Sequence, residues 1–567
     1  VIDLSGHASL ASALAAAVDR WHDRICLIEL DRDRENHRLT YRQFGDRTAA
    51  FSGFLQASGF QPGSRAAIIL TNQSAWLIAA YAVFMAGGVL VPLDPKLTAE
   101  EQRDLFAHSG SECLIVEHHI WTVLRTTLSM TPRMTTVVIG ASPQDVVETP
   151  AQRWEDAIGP AVQIRPRERN DLACIVYSSG TGGRPKGCML SHANYLEQCS
   201  ALAAVHRMAE GERYLSILPT NHAIDFMAGF LGPFVCGATV IHLRTLRPEH
   251  VRTALTKYGI THLTLVPMIL KNLETAIRAR LDALGGGTQR LTYALIGVNK
   301  VLTRNRLNPA FSRRLLGPIH AGVGPSLRAV FVGGAFTDPA TLQFFRDLGF
   351  PVANGYGLTE ACTVLTLNDV SSPRTDTVGT PLPGVEVQIV NPDHDGIGQV
   401  AVRGKTVMLG YLDDPALTAE TIRDGWLLTG DLGHVDADEH LHLVGRVKNM
   451  IVTAGGKNVY PEDVEAAFDG LPVEEFCVFA ASYLWRAASL ADDKLIAVLR
   501  LSNGAGSDTR TIDAFRLRNR QLPDYKRLGG YVRWDEAFPR TPSLKIKRDA
   551  LAERLRRRLD AGGVADL

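Results

Sequence analysis

Leu172-Ala-Cys-Ile-Val-Tyr-Ser-Ser-Gly-Thr-Gly-Gly-Arg-Pro-Lys-Gly187 begins as an apolar, partly β-branched run and then changes character. From Tyr177 to Gly187 it packs four glycines, three Ser/Thr hydroxyls and two cations into eleven positions. The leading run predicts a buried strand. The glycine-rich remainder predicts a phosphate-holding loop, because glycines let backbone N–H groups turn inward while Ser178, Ser179, Thr181 and Lys186 add donors and charge. The commoner nucleotide loop needs Gly-Lys followed by Ser or Thr, and here Gly187 follows Lys186. The alternative, a mobile surface linker, rarely combines a leading apolar strand with Arg-Pro-Lys.

Working outward, short apolar runs alternate with helical patterns up to about residue 440. Arg65 to Leu70, Cys113 to Val116, Thr261 to Val266 and Leu327 to Val332 predict strands; Glu100 to Ala107 and Pro339 to Leu348 predict helices. Such alternation predicts an α/β fold with mostly parallel, stacked sheets. Between Leu270 and Gly324 a helical, Arg-rich stretch broken by Leu284-Gly-Gly-Gly287 reads as an insertion of helices on the sheet. Trp76 to Leu93 lacks charge over eighteen residues, but Gly87-Gly88 interrupts it, so it predicts a buried helix, a turn and a strand rather than a membrane span.

After Gly445-Arg446 the pattern changes to a small α+β unit. Strands are predicted at Met450 to Thr453, Phe476 to Ala480 and Leu495 to Leu499, with helices after Pro461, near Ile512 to Gln521, and from Arg548. This gives a large domain over 1–447 and a small one over 448–567. Arg554-Leu-Arg-Arg-Arg558 reads as a solvated helix face, with peripheral contact to an anionic membrane surface as the alternative.

At 567 residues the chain is too long for one core, and 60 basic residues balance 60 acidic ones, which argues against a nucleic-acid binder. Eight cysteines form no C-x-x-C pair and no metal-ligand cluster with histidines, which fits a reducing, cytoplasmic setting. Cys188 has no neighbouring base in sequence and reads as packing.

Four further segments come after the loop in order. They are Asn354-Gly-Tyr-Gly-Leu-Thr-Glu360, Asp424-Gly-Trp-Leu-Leu-Thr-Gly-Asp431, Gly445 to Pro461, and Pro539-Arg-Thr-Pro-Ser-Leu-Lys-Ile-Lys-Arg548. In this order and at these separations the chain, from about Leu39 to Leu551, resembles the adenylate-forming superfamily of acyl-CoA synthetases, nonribosomal adenylation domains and luciferases. The resemblance implies that Ser178, Ser179, Gly180, Thr181, Gly182, Gly183 and Lys186 close over ATP phosphates. Glu360 would bind Mg²⁺ and Thr359 a phosphate. Gly333, Gly334, Ala335, Asn354, Gly355, Tyr356 and Gly357 would line the adenine pocket, and Asp431 with Arg446 would hold the ribose. Lys448 would be the hinge of a mobile small domain, and Gly455, Gly456 and Lys457 would border the thiol channel. Lys545 would be the catalytic lysine; Leu544 stands before it where the family commonly has Gly.

That assignment makes chemical sense, because carboxylate attack on an α-phosphate brings two anions together and needs cations and positioning. His222, Phe226, Met227 and Gly229 fall where relatives build the acyl pocket, and Asp225 invites comparison with the amine-binding Asp of amino-acid adenylating domains. Met227 to Gly237 is apolar and rich in small residues, as a wall around an aliphatic tail would be. The expected activity is ATP- and Mg²⁺-dependent activation of a medium- to long-chain fatty acid, with CoA as co-substrate. Delivery to a carrier protein acting in trans is the nearest alternative, and a non-catalytic nucleotide sensor is one of another class.

Overall fold

The computed structural model describes the chain except residues 1, 129–133, 146, 148–150, 161, 179–184, 453–457, 469, 472, 486–493, 502–506, 541–545 and 560–562. It divides into two compact units: Val1–Val387 with Val402–Leu427, and Gln388–Ala401 with Leu428–Leu567. This is a division by packing, whereas a pivot at Lys448 is a matter of motion.

The larger unit is built on two sheets. In the eight-stranded sheet, Val89–Pro92, Arg65–Ile69, Cys113–Glu117, Thr135–Ile139 and Ala151–Arg153 run parallel in that spatial order, and Leu172–Ser178 pairs in parallel beyond Val89–Pro92. The nine-stranded sheet has a parallel centre made by Ile25–Asp31, Thr239–Leu243, Arg213–Ser216, His262–Leu265, Ala329–Val332 and Val352–Tyr356. The helix Ser74–Met85 is buried at all twelve positions, as a sequence apolar on every side requires. It reaches both sheets: it follows the strand Arg65–Ile69, and its Ser74 N–H donates to the Glu29 carboxylate of the other sheet at 2.7 Å. Gly87, at φ +74°, turns the chain into the strand Val89–Pro92. Among the described residues no helix is long and apolar enough to cross a membrane.

The Arg-rich stretch forms four helices, Pro267–Asp282, Gly286–Leu302, Pro309–Leu315 and Gly317–Val323, all within the larger unit. Gly285 caps the second of them, where the glycine run predicted a break. The expectation of parallel alternation up to residue 440 needs correction. Within Thr366–Arg446, Thr366–Leu367 pairs antiparallel with Thr380–Pro381, Ile422–Arg423 with Trp426–Val435, and Trp426–Val435 with Leu441–Arg446. The connection between Val435 and Leu441 is too short for a helical crossover, so those two strands return as a hairpin.

In the smaller unit, Glu475–Ala480, Leu495–Arg500 and Leu528–Arg533 form a three-stranded sheet with a core on each face. Arg548 opens the helix Arg548–Arg558, donates to both Glu465 carboxylate oxygens at 2.7 and 2.6 Å, and donates to the Val478 carbonyl at 2.8 Å.

Candidate active site

The strand Leu172–Ser178 is answered by an antiparallel strand, Lys186–Ser191, so the glycine-rich sequence connects two antiparallel strands. This differs from the commoner nucleotide loop, which opens a helix. Ser178 and Lys186 are register partners and therefore stand side by side at the hairpin mouth. Ser179, Gly180, Thr181, Gly182 and Gly183 lie outside the described residues.

Thr359 and Glu360 sit in a single 3₁₀ turn, Thr359–Ala361, which follows the strand Val352–Tyr356. The chain then passes through Cys362 at φ 55° and Thr363 at φ 107°. A β-branched residue at positive φ costs on the order of 1–3 kcal/mol and persists only where the surroundings enforce it. The enforcement is visible: Thr363 N–H donates to the Leu358 carbonyl at 3.1 Å, and a Cβ on Gly357 would lie 1.7 Å from the Thr363 oxygen. Gly357 therefore lets the turn fold back on itself and fixes where Glu360 points.

Glu360 Oε1 accepts from Ser178 Oγ at 3.1 Å and from Tyr411 Oη at 3.1 Å. The first bond joins the end of a strand of one large sheet to the turn that follows a strand of the other. Tyr411 arrives on a two-residue strand, Gly410–Tyr411, paired with Cys188 and Met189, and the Lys186 ammonium lies 5.2 Å from its ring centroid. One tyrosine thus touches both the cation and the carboxylate of the site. Burial, then the Glu360 charge, holds its phenol well above the usual range, so it remains the donor. Sequence reading missed Tyr411; its signal was a Gly-Tyr pair like Gly355-Tyr356, standing outside all five motif segments. Cys188 is buried, its thiol pushed up by desolvation and then by Glu360, which makes it inert packing.

Gly333, Gly334 and Ala335 follow the strand Ala329–Val332, whose parallel partner carries Asn354, Gly355 and Tyr356. A Cβ on Gly333 would stand 3.0 Å from the Gly355 oxygen, a tight contact that the neighbouring strand would have to relieve by a few tenths of an ångström. Asn354 is buried and fixed by Thr337 Oγ1, which donates to its Oδ1 at 3.2 Å. These residues lie at the carboxyl ends of parallel strands, where α/β sheets place ligands.

Asp431 and Arg446 belong to the smaller unit, facing each other in adjacent strands, with Arg446 Nε donating to Asp431 Oδ1 at 2.7 Å. Lys448 is exposed in the short turn Val447–Asn449. Gly455, Gly456, Lys457, Leu544 and Lys545 lie outside the described residues.

Phe226, Met227 and Gly229 form part of a π-helical segment, Asp225–Leu231, and all three are buried. Phe226 packs against Trp76, Phe84, Tyr195 and Phe230, at 5.5 to 6.3 Å between ring centroids. Asp225 is buried beneath them, accepting from Ser216 Oγ at 2.9 Å and Thr220 Oγ1 at 3.1 Å, and burial pushes its carboxyl up to about 7. Its oxygens are engaged by hydroxyls, which separates it from an amine-binding role. His222 Nε2 stands 4.0 Å from Asp94 Oδ2, itself buried.

Feruloyl-CoA synthase of Amycolatopsis sp is 29% identical over 446 residues, covering 77% of this chain and 79% of its own. The long-chain-fatty-acid–CoA ligase FadD15 of Mycobacterium bovis is 30% identical over 425 residues, covering 72% and 69%. In fold, the chain resembles o-succinylbenzoate coenzyme A synthetase of Bacillus subtilis, solved with ATP and magnesium ion, at a TM-score of 0.72 and 23% identity over 95% of this chain and 98% of that one. Residues 14–412 match the AMP-binding enzyme family, and the chain belongs to it.

Proposed function

We propose that this protein is an AMP-forming acid–thiol ligase. It condenses a carboxylic acid with ATP, forming an acyl–phosphate bond at the α-phosphorus and releasing pyrophosphate, and then passes the acyl group to CoA with release of AMP. The observation that carries this is the hairpin mouth, where Ser178, Lys186, Tyr411 and Glu360 converge beside a phosphate-holding loop sequence.

The donor set suits Mg²⁺: Glu360 has one oxygen held by two neutral hydroxyls, and its other oxygen meets no protein donor among the described residues. A hard divalent cation takes such oxygens, and when bound it supplies charge neutralisation to the phosphates. Ser178 and Tyr411 orient the carboxylate, while Lys186 offers a fixed positive charge. Asn354, with Gly333 and Gly355 clearing space, orients the base, and Asp431 with Arg446 binds the ribose. Lys545 is the cation for the acid–phosphate approach. Lys448 is the pivot by which the small domain of residues 448–567 withdraws Lys545 and brings Gly455, Gly456 and Lys457 to the thiol.

The acid is a medium- to long-chain fatty acid. The apolar, small-residue segment from Met227 and the likeness to a long-chain fatty-acid ligase support this, with His222 orienting the carboxylate and Phe226, Met227 and Gly229 walling the chain. The likeness to a feruloyl-CoA ligase makes aromatic acids the comparison to run. The test is mass spectrometry after incubation with ATP, Mg²⁺ and a pooled panel of aliphatic and aromatic acids, with and without CoA. Aliphatic acyl-CoA formed only with CoA supports the reading. Acyl-AMP that persists despite CoA moves the acceptor to a carrier protein, an aromatic product corrects the acid, and ATP binding without any product leaves a sensor.

A further inference from the structure

The helix Gly286–Leu302 carries two apolar faces, and only one is used. Leu295 and Ile296 pack on the core, Asn299 Nδ2 donates to the Asp347 carbonyl at 2.9 Å, and Lys300 pairs with Asp347 at 3.0 Å. These contacts fix the helix to the larger unit. Leu291, Ala294, Val298, Val301 and Leu302 succeed one another at helical spacing, and every one is exposed, Val301 to 73% and Leu302 to 64%. Scattered exposed apolar residues need no explanation, but a continuous stripe on one helix does.

The stripe lies in a strongly basic part of the chain. Between Arg278 and Arg328 there are nine Lys or Arg residues and one acid, Asp282, in a protein whose total charge is zero. Arg280, Arg290, Arg304 and Arg314 are all exposed and enter no ion pair among the described residues. Arg290 directly precedes Leu291, and Arg304 follows Leu302 by two residues.

We infer that this face of Gly286–Leu302 docks on an anionic lipid bilayer, with Leu291, Val298, Val301 and Leu302 entering the headgroup boundary and the surrounding arginines meeting lipid phosphates. A helix with an apolar stripe and basic flanks lies in the interface rather than crossing it. The basic run of the terminal helix, the sequence's own candidate for such contact, is otherwise engaged. Arg556 donates to the Tyr483 carbonyl, Arg557 pairs with Glu553 and Arg558 with Glu536, and Leu551 and Leu555 are buried. The inference is independent of which acid is activated.

The experiment is co-sedimentation of the full chain with vesicles of phosphatidylglycerol and phosphatidylcholine, and with phosphatidylcholine vesicles. The expected result is at least tenfold stronger binding to the anionic vesicles, weakened by added salt. The paired substitution Val301→Glu and Leu302→Glu should reduce that binding at least tenfold while the thermal midpoint stays unchanged. Val123→Glu, at an apolar position 58% exposed outside this helix, should leave it unaltered. Absence of sedimentation with anionic vesicles overturns the inference, as does equal binding by the paired variant. Binding to an acidic carrier protein, or self-association in light scattering, that the paired variant abolishes while vesicles are ignored would also overturn it, and would assign the face to a protein.

Discussion

Glu360 is held by two hydroxyls that come from different parts of the chain, Ser178 and Tyr411, each 3.1 Å away. Phe226 and Met227 are held by packing: a ring cluster with Trp76, Phe84, Tyr195 and Phe230 surrounds the first, and the Cys199 sulfur lies 3.5 Å from the Met227 sulfur. The contrast separates two kinds of specificity. On the proposed reading, the phosphate end is built from a few fixed polar groups at hydrogen-bond distance. The proposed acid end is built from packed side chains, where volume and shape decide what fits.

The strongest way to break the comparison is to damage the polar end without touching its packing. Glu360→Gln keeps the shape and removes the charge. Acyl-CoA formation should fall by about 10²–10³ in kcat/KM, the range for losing one aimed electrostatic group, with the melting temperature unchanged. At the packed end the loss should appear in stability. A Cβ on Gly229 would lie 2.5 Å from Asp225 Oδ1, and Asp225 cannot step aside because Ser216 and Thr220 hold it. Gly229→Ala should cost about 1–3 kcal/mol, measured by denaturant unfolding.

Tyr411→Phe sharpens the polar side of the contrast. The ring stays beneath Lys186 while the donor to Glu360 is lost, so the rate should drop about ten- to hundredfold, roughly the free energy of one hydrogen bond to a charged group. A raised Mg²⁺ requirement should accompany the drop, measured from rate against Mg²⁺ concentration. The remaining prediction concerns pH. Asp225, at about 7 in the fold, lies above the ~3.9 of an unfolded aspartate, so the folded state holds its proton more tightly. The resulting stability is complete below about pH 4 and is lost as pH rises to about 7, at no more than about 1.4 kcal/mol per pH unit. Asp225→Asn removes this loss, so its melting temperature relative to the parent should climb over that window. His242, depressed to about 4 by burial, has the opposite sign and is present in both proteins.

The polar end was largely legible in the sequence because its requirements are local. A glycine-rich loop after an apolar run, and a Thr-Glu pair after a Gly-Tyr-Gly turn, each carry their chemistry within a few residues. Tyr411 escaped because it joins the site through a two-residue strand whose partner is more than two hundred residues earlier, a pairing no local pattern encodes. The antiparallel pairing after Thr366 escaped for a related reason, since short apolar runs look alike whether the next strand returns by a hairpin or a crossover. At the packed end, the run from Met227 to Gly237 announced burial but not what it would surround, because burial against a core and burial against a ligand select the same residues.

Acid-dependent exchange of labelled pyrophosphate into ATP, with CoA withheld, tests the account most directly, since it reads the adenylation half alone. In a comparison of the parent protein with Lys186→Met, exchange in the parent should depend on both the acid and Mg²⁺. In the variant, exchange should fall at least a hundredfold with the fold intact by circular dichroism. Exchange at the parent rate in Lys186→Met would contradict the assignment of the hairpin mouth as the phosphate site.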